Sequence, residues 1–159
     1  MSANILDDAI DLRESALRLL AQRDYSQTEL QKKLKSKGFD LDKIETMMTE
    51  LAQMHLLNDQ RFTENYIHRR RNKGYGPQRI RMELQSLGIQ QELIAECLNH
   101  NDEHWLQEAY KVWHKQFKGQ KAADFKNRAK QTRFLAYRGF TQEQIKRLLK
   151  GYDDFTNDD

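Results

Sequence analysis

The feature that most constrains this chain is a spacing. Leu34-x-x-x-Gly38-Phe39, Leu84-x-x-x-Gly88-Ile89 and Leu135-x-x-x-Gly139-Phe140 stand 50 and 51 residues apart. Six residues past each glycine is an isoleucine: Ile44, Ile94 or Ile145. Ten past stands Met48, Leu98 or Leu149. Upstream, Tyr25-Ser26 and Tyr75-Gly76 hold the same offset from Gly38 and Gly88; the third copy departs there. A fixed period of this length is the mark of a repeat array, in which each unit packs mainly on its sequence neighbours.

The units read as helical. A leucine four residues before a glycine is a helix ending on a left-handed C′ position. Ser26-Gln27-Thr28-Glu29 and Thr141-Gln142-Glu143-Gln144 are capping boxes, and Asn58-Asp59 caps another helix. Pro77 sits where a first helical residue needs no amide. Valine occurs once, at Val112, while Leu, Lys, Glu, Gln, Arg and Ala abound, so strands are disfavoured. We expect an all-α protein of three tandem three-helix repeats, about nine helices forming an elongated, curved body. Expected limits are 1–57, 58–101 and 102–151, then an acidic tail at 152–159, expected to fray. With 38% hydrophobic residues, 32% charged residues and a mean hydropathy of −0.96, small modules suit the chain better than a thick globule.

Individual placements follow from periodicity. Leu6, Ala9, Ile10, Ala16, Leu17 and Leu20 form the expected stripe of the first helix, and Asp42 with Glu45 begins the third. Tyr66 turns inward on a helix from about 59 to 72. Phe125, Ala129, Phe134 and Leu135 mark the eighth helix. Trp113 is expected in the core; for Trp105 an exposed position stays open, and it is assigned no ligand. Cys97 falls on an apolar face as a buried thiol, and a single cysteine excludes an internal disulfide.

Chemistry-bearing sets are sparse. Gly74-Tyr75-Gly76 follows a helix rather than a strand, and no phosphate-loop motif occurs, so it reads as a turn. His100 and His104 have ligand spacing, but they lie at a helix junction without a cysteine pair, and no metal is expected. No nucleophile–base set has supporting context. The chain is expected to be no enzyme and to carry no cofactor. No apolar run approaches the ~18 residues of a membrane span, and the acidic N-terminus is unlike a signal peptide. A cytoplasmic, monomeric protein is expected.

Charge carries the stronger signal. The net charge of +3 conceals blocks: residues 61–81 hold seven bases and one acid, and 111–150 hold twelve bases and two acids. Arg69, Arg70 and Arg71 span most of a helical turn and cannot all face a core. A solvated helix C-terminus would accept such cations too. With Lys73, Arg79 and Arg81 beside them, their density exceeds what capping needs. Lys115, Lys118, Lys121, Lys126, Arg128, Lys130, Arg133 and Arg138 form a second field whose only interspersed acid is Asp124. These fourteen are the candidate contacts to nucleic acid or to a filament. Lys73 matches Arg23 by the repeat offset, whereas Arg69, Arg70 and Arg71 fall opposite Leu19, Leu20 and Ala21. That unrepeated charge is the first place to look for function.

One stretch also resembles a known family. Asp59-x-Arg61-Phe62, followed by Lys73-Gly74-Tyr75-Gly76-Pro77-x-x-Ile80-x-x-Glu83-Leu84-x-x-x-Gly88-Ile89, is similar to the RecX family, regulators of the RecA recombinase. Ala16-Leu17-x-x-Leu20-x-x-Arg23-x-Tyr25-Ser26-x-x-Glu29-Leu30-x-x-Lys33-Leu34 resembles its first repeat, and Arg133-Phe134-Leu135-x-x-Arg138-Gly139-Phe140 its last. The resemblance implies a cytoplasmic bacterial protein that binds RecA–DNA filaments and inhibits ATP hydrolysis, strand exchange and coprotease activity. The implied partners are the RecA filament with single- and double-stranded DNA. The residues alone leave two alternatives open: a general DNA-binding module, or a helical scaffold for another partner.

Overall fold

The computed structural model describes residues 2–98 and 102–151, with side chains for 7–98 and 103–151. His100, the side chain of Leu6 and the acidic tail 152–159 therefore lie outside the described residues. Among these residues are nine helices and no strand: α1 Ser2–Gln22, α2 Gln27–Ser36, α3 Leu41–Gln53, α4 Asp59–Asn72, α5 Pro77–Ser86, α6 Gln91–Leu98, α7 Asp102–Phe117, α8 Phe125–Arg138 and α9 Gln142–Lys150. The main helix contacts fall inside the triplets: α1 and α2 on α3, α4 and α5 on α6, α7 and α8 on α9.

Local chemistry sets most helix ends. Ser26 Oγ accepts the Glu29 amide while Glu29 reaches back, and Thr141 with Gln144 does the same for α9. Asn58 accepts from the amides of Gln60 and Arg61. The start of α3 differs from expectation. Asp40 is its N-cap, without a side-chain bond, and Asp42 lies in the first turn, where its charge favours the helix dipole.

Two cores form. Leu12, Ala16, Leu19, Leu30, Leu34, Ile44, Met48 and Leu51 pack as one. The second and third triplets share another, running from Phe62, Ile80 and Leu84 to Trp105, Trp113, Leu135 and Ile145. The buried stripe of the first helix is rotated from the expected one: of the expected residues with described side chains, Ala16 is buried, Leu20 is partly so and Ala9 is exposed. α1 meets neighbours on one side only, so Leu12, Ala16 and Leu19 are buried, whereas Ile10 and Leu17 are exposed. Trp105 is buried like Trp113, and Cys97 is only partly so. Phe125 is exposed rather than inward. It begins α8 ten residues before Leu135, roughly 80° off that residue's face.

Successive repeats meet at one recurring joint. The turn before the second helix of one repeat lies against the C-terminus of the second helix in the next. Ser26 Oγ donates to the carbonyl of Leu87 across 2.7 Å. At the corresponding place, the Gly76 amide donates to the Arg138 carbonyl at 2.8 Å, and the Gln78 amide to Gly139 at 2.9 Å. The glycines therefore do more than stop helices. A Cβ on Gly88 would lie 2.2 Å from Thr28 Oγ1, and one on Gly139 would lie 2.3 Å from Arg79 Cβ. Gly38, which no preceding repeat covers, would meet nothing within 4 Å.

Candidate nucleic-acid interface

The fourteen candidate cations divide by what holds them. Three converge on Tyr75, which lies within the α4–α5 turn. The guanidinium carbons of Arg70, Arg79 and Arg138 lie 4.0, 4.3 and 5.3 Å from its ring centroid. Such stacking is stabilising because the ring face is electron-rich. Tyr25 holds the same place in the first repeat, with Arg23 over it at 3.7 Å.

Two of the three, Arg70 and Arg79, also meet Glu83 on α5. Its Oε1 accepts from Arg70 Nη2 at 2.8 Å and Nε at 3.2 Å, and Oε2 accepts from the Tyr66 hydroxyl at 2.7 Å. Arg79 Nε stands 3.5 Å from the same carboxylate. Burial alone would raise the Glu83 pKa, but the hydrogen bonds from Arg70 and Tyr66 outweigh it and hold it below the ordinary value. Burial first, then the adjoining carboxylate, push the Tyr66 phenol up to about 12. The unrepeated triplet of arginines is thus not uniform. Arg70 points inward as part of the joint, while Arg69 is exposed, 5.8 Å from the Tyr66 ring. Arg71 is half-buried, with Nη2 3.4 Å from His68 Nδ1.

A second group lines a cleft of about 330 Å3 between the second and third repeats. Arg71 and Lys73 enter from the end of α4, Lys111 and Lys115 from α7, and Arg138 from α8. Arg138 is fixed there by donating Nη1 to the Lys73 carbonyl at 3.3 Å. Glu108 is the acid of the cleft, 3.3 Å from Lys111 Nζ. Sequence reasoning passed over Lys111; its place one helical turn before Lys115 was the available signal.

The remaining candidates face solvent. Lys126, Lys130 and Arg133 lie on the side of α8 opposite the buried Leu135. Arg128 and Lys121, with Lys150, border a separate hollow of about 350 Å3 over Trp113 and Gln131. Gln131 is held at both ends, accepting from Trp113 Nε1 at 3.0 Å and donating to the Gln120 carbonyl at 3.0 Å. Arg81 is exposed on α5, and Lys118 follows α7 with φ 56°. Asp124 caps α8, accepting from the Asn127 amide at 2.8 Å. Its charge therefore sits at a helix start, where it favours the helix dipole. Two exposed rings on α8, Phe125 and Tyr137, carried no sequence signal beyond their register.

Among the described residues no three His, Cys, Asp or Glu side chains group as a metal site. His104 is half exposed, its Nε2 4.0 Å from Glu108. No helix of these residues is long and apolar enough to cross a membrane.

Among the described residues, nine helices in three triplets, jointed turn to helix end and carrying outward cations, define a helical-repeat protein. The chain belongs to the RecX family. Models of the first, second and third RecX three-helix domains match residues 13–51, 58–98 and 102–149. The "Regulatory protein RecX" of Pseudomonas entomophila is 42% identical over 153 residues, covering 96% of this chain and 98% of that protein. That of Legionella pneumophila is 42% identical over 137 residues, covering 86% and 91%. The fold matches the crystal structure of RecX from Lactobacillus salivarius with a TM-score of 0.81 at 21% identity, over 93% of this chain and 98% of that one.

Proposed function

We propose that the chain is a non-enzymatic regulator of RecA that binds RecA–DNA filaments and inhibits ATP hydrolysis, strand exchange and coprotease activity. The observation that carries this reading is the end-to-end match of all three repeats to the RecX family. Binding needs no reacting group. A jointed array offers one face to several filament subunits, and its outward cations offset phosphate and protein acid charge. Cytoplasmic localisation, a monomeric state and affinity for both single- and double-stranded DNA belong to the same proposal.

Titrating the protein into RecA on single-stranded DNA with ATP tests it. Hydrolysis and strand exchange fall at stoichiometric amounts; undiminished rates at that ratio reject the proposal. The outward cations of α8 also support a second reading, a DNA binder that merely competes with RecA for substrate. In that case inhibition disappears when DNA is in excess, and inhibition that persists rejects it.

A further inference from the structure

The outer face of α8 combines two elements that rarely share a solvated helix. Lys126, Lys130, Arg133 and Tyr137 are spaced i, i+4, i+7 and i+11, so they form one stripe about 16 Å long. The stripe points away from the buried Leu135 and contains no acid. Among the described residues no acid pairs with its three cations. At its end Tyr137 is 76% exposed. Arg79 steadies it, with its guanidinium carbon 5.4 Å from the ring centroid and Nη1 3.4 Å from the Tyr137 carbonyl. Tyr137 is therefore a braced ring at the end of a cationic track.

We propose that this stripe is a single-strand nucleic-acid path, with the three cations following the phosphodiester backbone and Tyr137 stacking on an unpaired base. Cations alone suit any polyanion, duplex or acidic peptide included. The ring narrows the choice, because base faces are available for stacking in a single strand and hidden inside a duplex. Tyr137 would then set the preference for single strands, while Lys126, Lys130 and Arg133 supply affinity common to both forms. The proposal rests on the DNA-binding part of the function above and assigns it to one helix.

The test is direct binding of the full chain, without RecA, to a fluorescent oligothymidylate, to an abasic strand with the same number of phosphates, and to a duplex. Tyr137→Ala weakens oligothymidylate binding about 5- to 150-fold, as expected for one lost base stack. It leaves the abasic strand and duplex unchanged, and Tyr137→Phe keeps wild-type affinity. Replacing Lys126, Lys130 and Arg133 by Gln lowers the single-strand salt slope by about 2. Equal loss on all three ligands, no loss at Tyr137→Ala, an unchanged salt slope, or no binding by the wild type overturns the inference. The RecA titration is scored apart. Inhibition retained without a Tyr137 effect removes only this assignment, and a Tyr137 effect without inhibition removes only the filament reading.

Discussion

The Gly76 amide donates to the Arg138 carbonyl across 2.8 Å, and a Cβ on Gly76 would lie 2.4 Å from the Gly139 carbonyl carbon. Two backbones are therefore in direct contact at the joint between the second and third repeats. At the equivalent joint between the first and second repeats, the Ser26 side chain spans the gap to Leu87. The array is built from one joint used twice, with different closeness.

The recurring glycines should separate by cost. Gly38, with φ 97° and open surroundings, loses about 1–2 kcal/mol on substitution by Ala, the ordinary strain of a left-handed residue. Gly139→Ala adds a clash with Arg79 and costs a further ~1–3 kcal/mol. Urea denaturation of the two variants checks this; equal losses would show that the joint tolerates a methyl group.

The three adjacent arginines should behave differently when replaced singly. Arg70→Ala removes two bonds to a partly buried carboxylate and a stacked cation, costing about 1–3 kcal/mol. Arg69→Ala changes stability by less than about 0.5 kcal/mol, as an exposed site should. Filament and DNA binding then report on Arg69 without a stability artefact. If Arg70→Ala leaves the melting temperature unchanged, the Glu83 network contributes no stability.

Acid sensitivity should trace in part to Glu83. Its folded pKa lies below the unfolded one, so its contribution is complete above the usual glutamate pKa of about 4.3 and disappears as pH falls through the lower folded value. Stability measured from pH 6 to pH 3 should therefore fall less steeply in Glu83→Gln than in wild type. Parallel pH curves for the two proteins would contradict this assignment.

Gln131 should be intolerant of an apolar replacement. Gln131→Leu leaves the buried Trp113 Nε1 and the Gln120 carbonyl without their present partner, at a cost of about 1–3 kcal/mol for each group that water cannot reach. Denaturation followed by tryptophan fluorescence reads both the stability and the altered indole environment. A variant as stable as wild type would mean that the pair is dispensable.

The sequence by itself determined the array: the period, the helix ends at Ser26, Asn58, Pro77 and Thr141, and the absence of strands among the described residues. These depend on bonds and contacts between residues three or four apart, which the chain order exhibits directly. Only the tertiary structure decided how Arg69, Arg70 and Arg71 differ, since of the three Arg70 alone is held by Glu83 and Tyr75 in the following turn and helix. It also decided the burial of Trp105, the exposure of Ile10, Leu17 and Phe125, and the cleft that joins Arg71 to Lys111. The glycine at position 139 shows the boundary most clearly. Its left-handed turn is a local property, whereas the contact with Arg79 exists only because the preceding repeat folds back onto it.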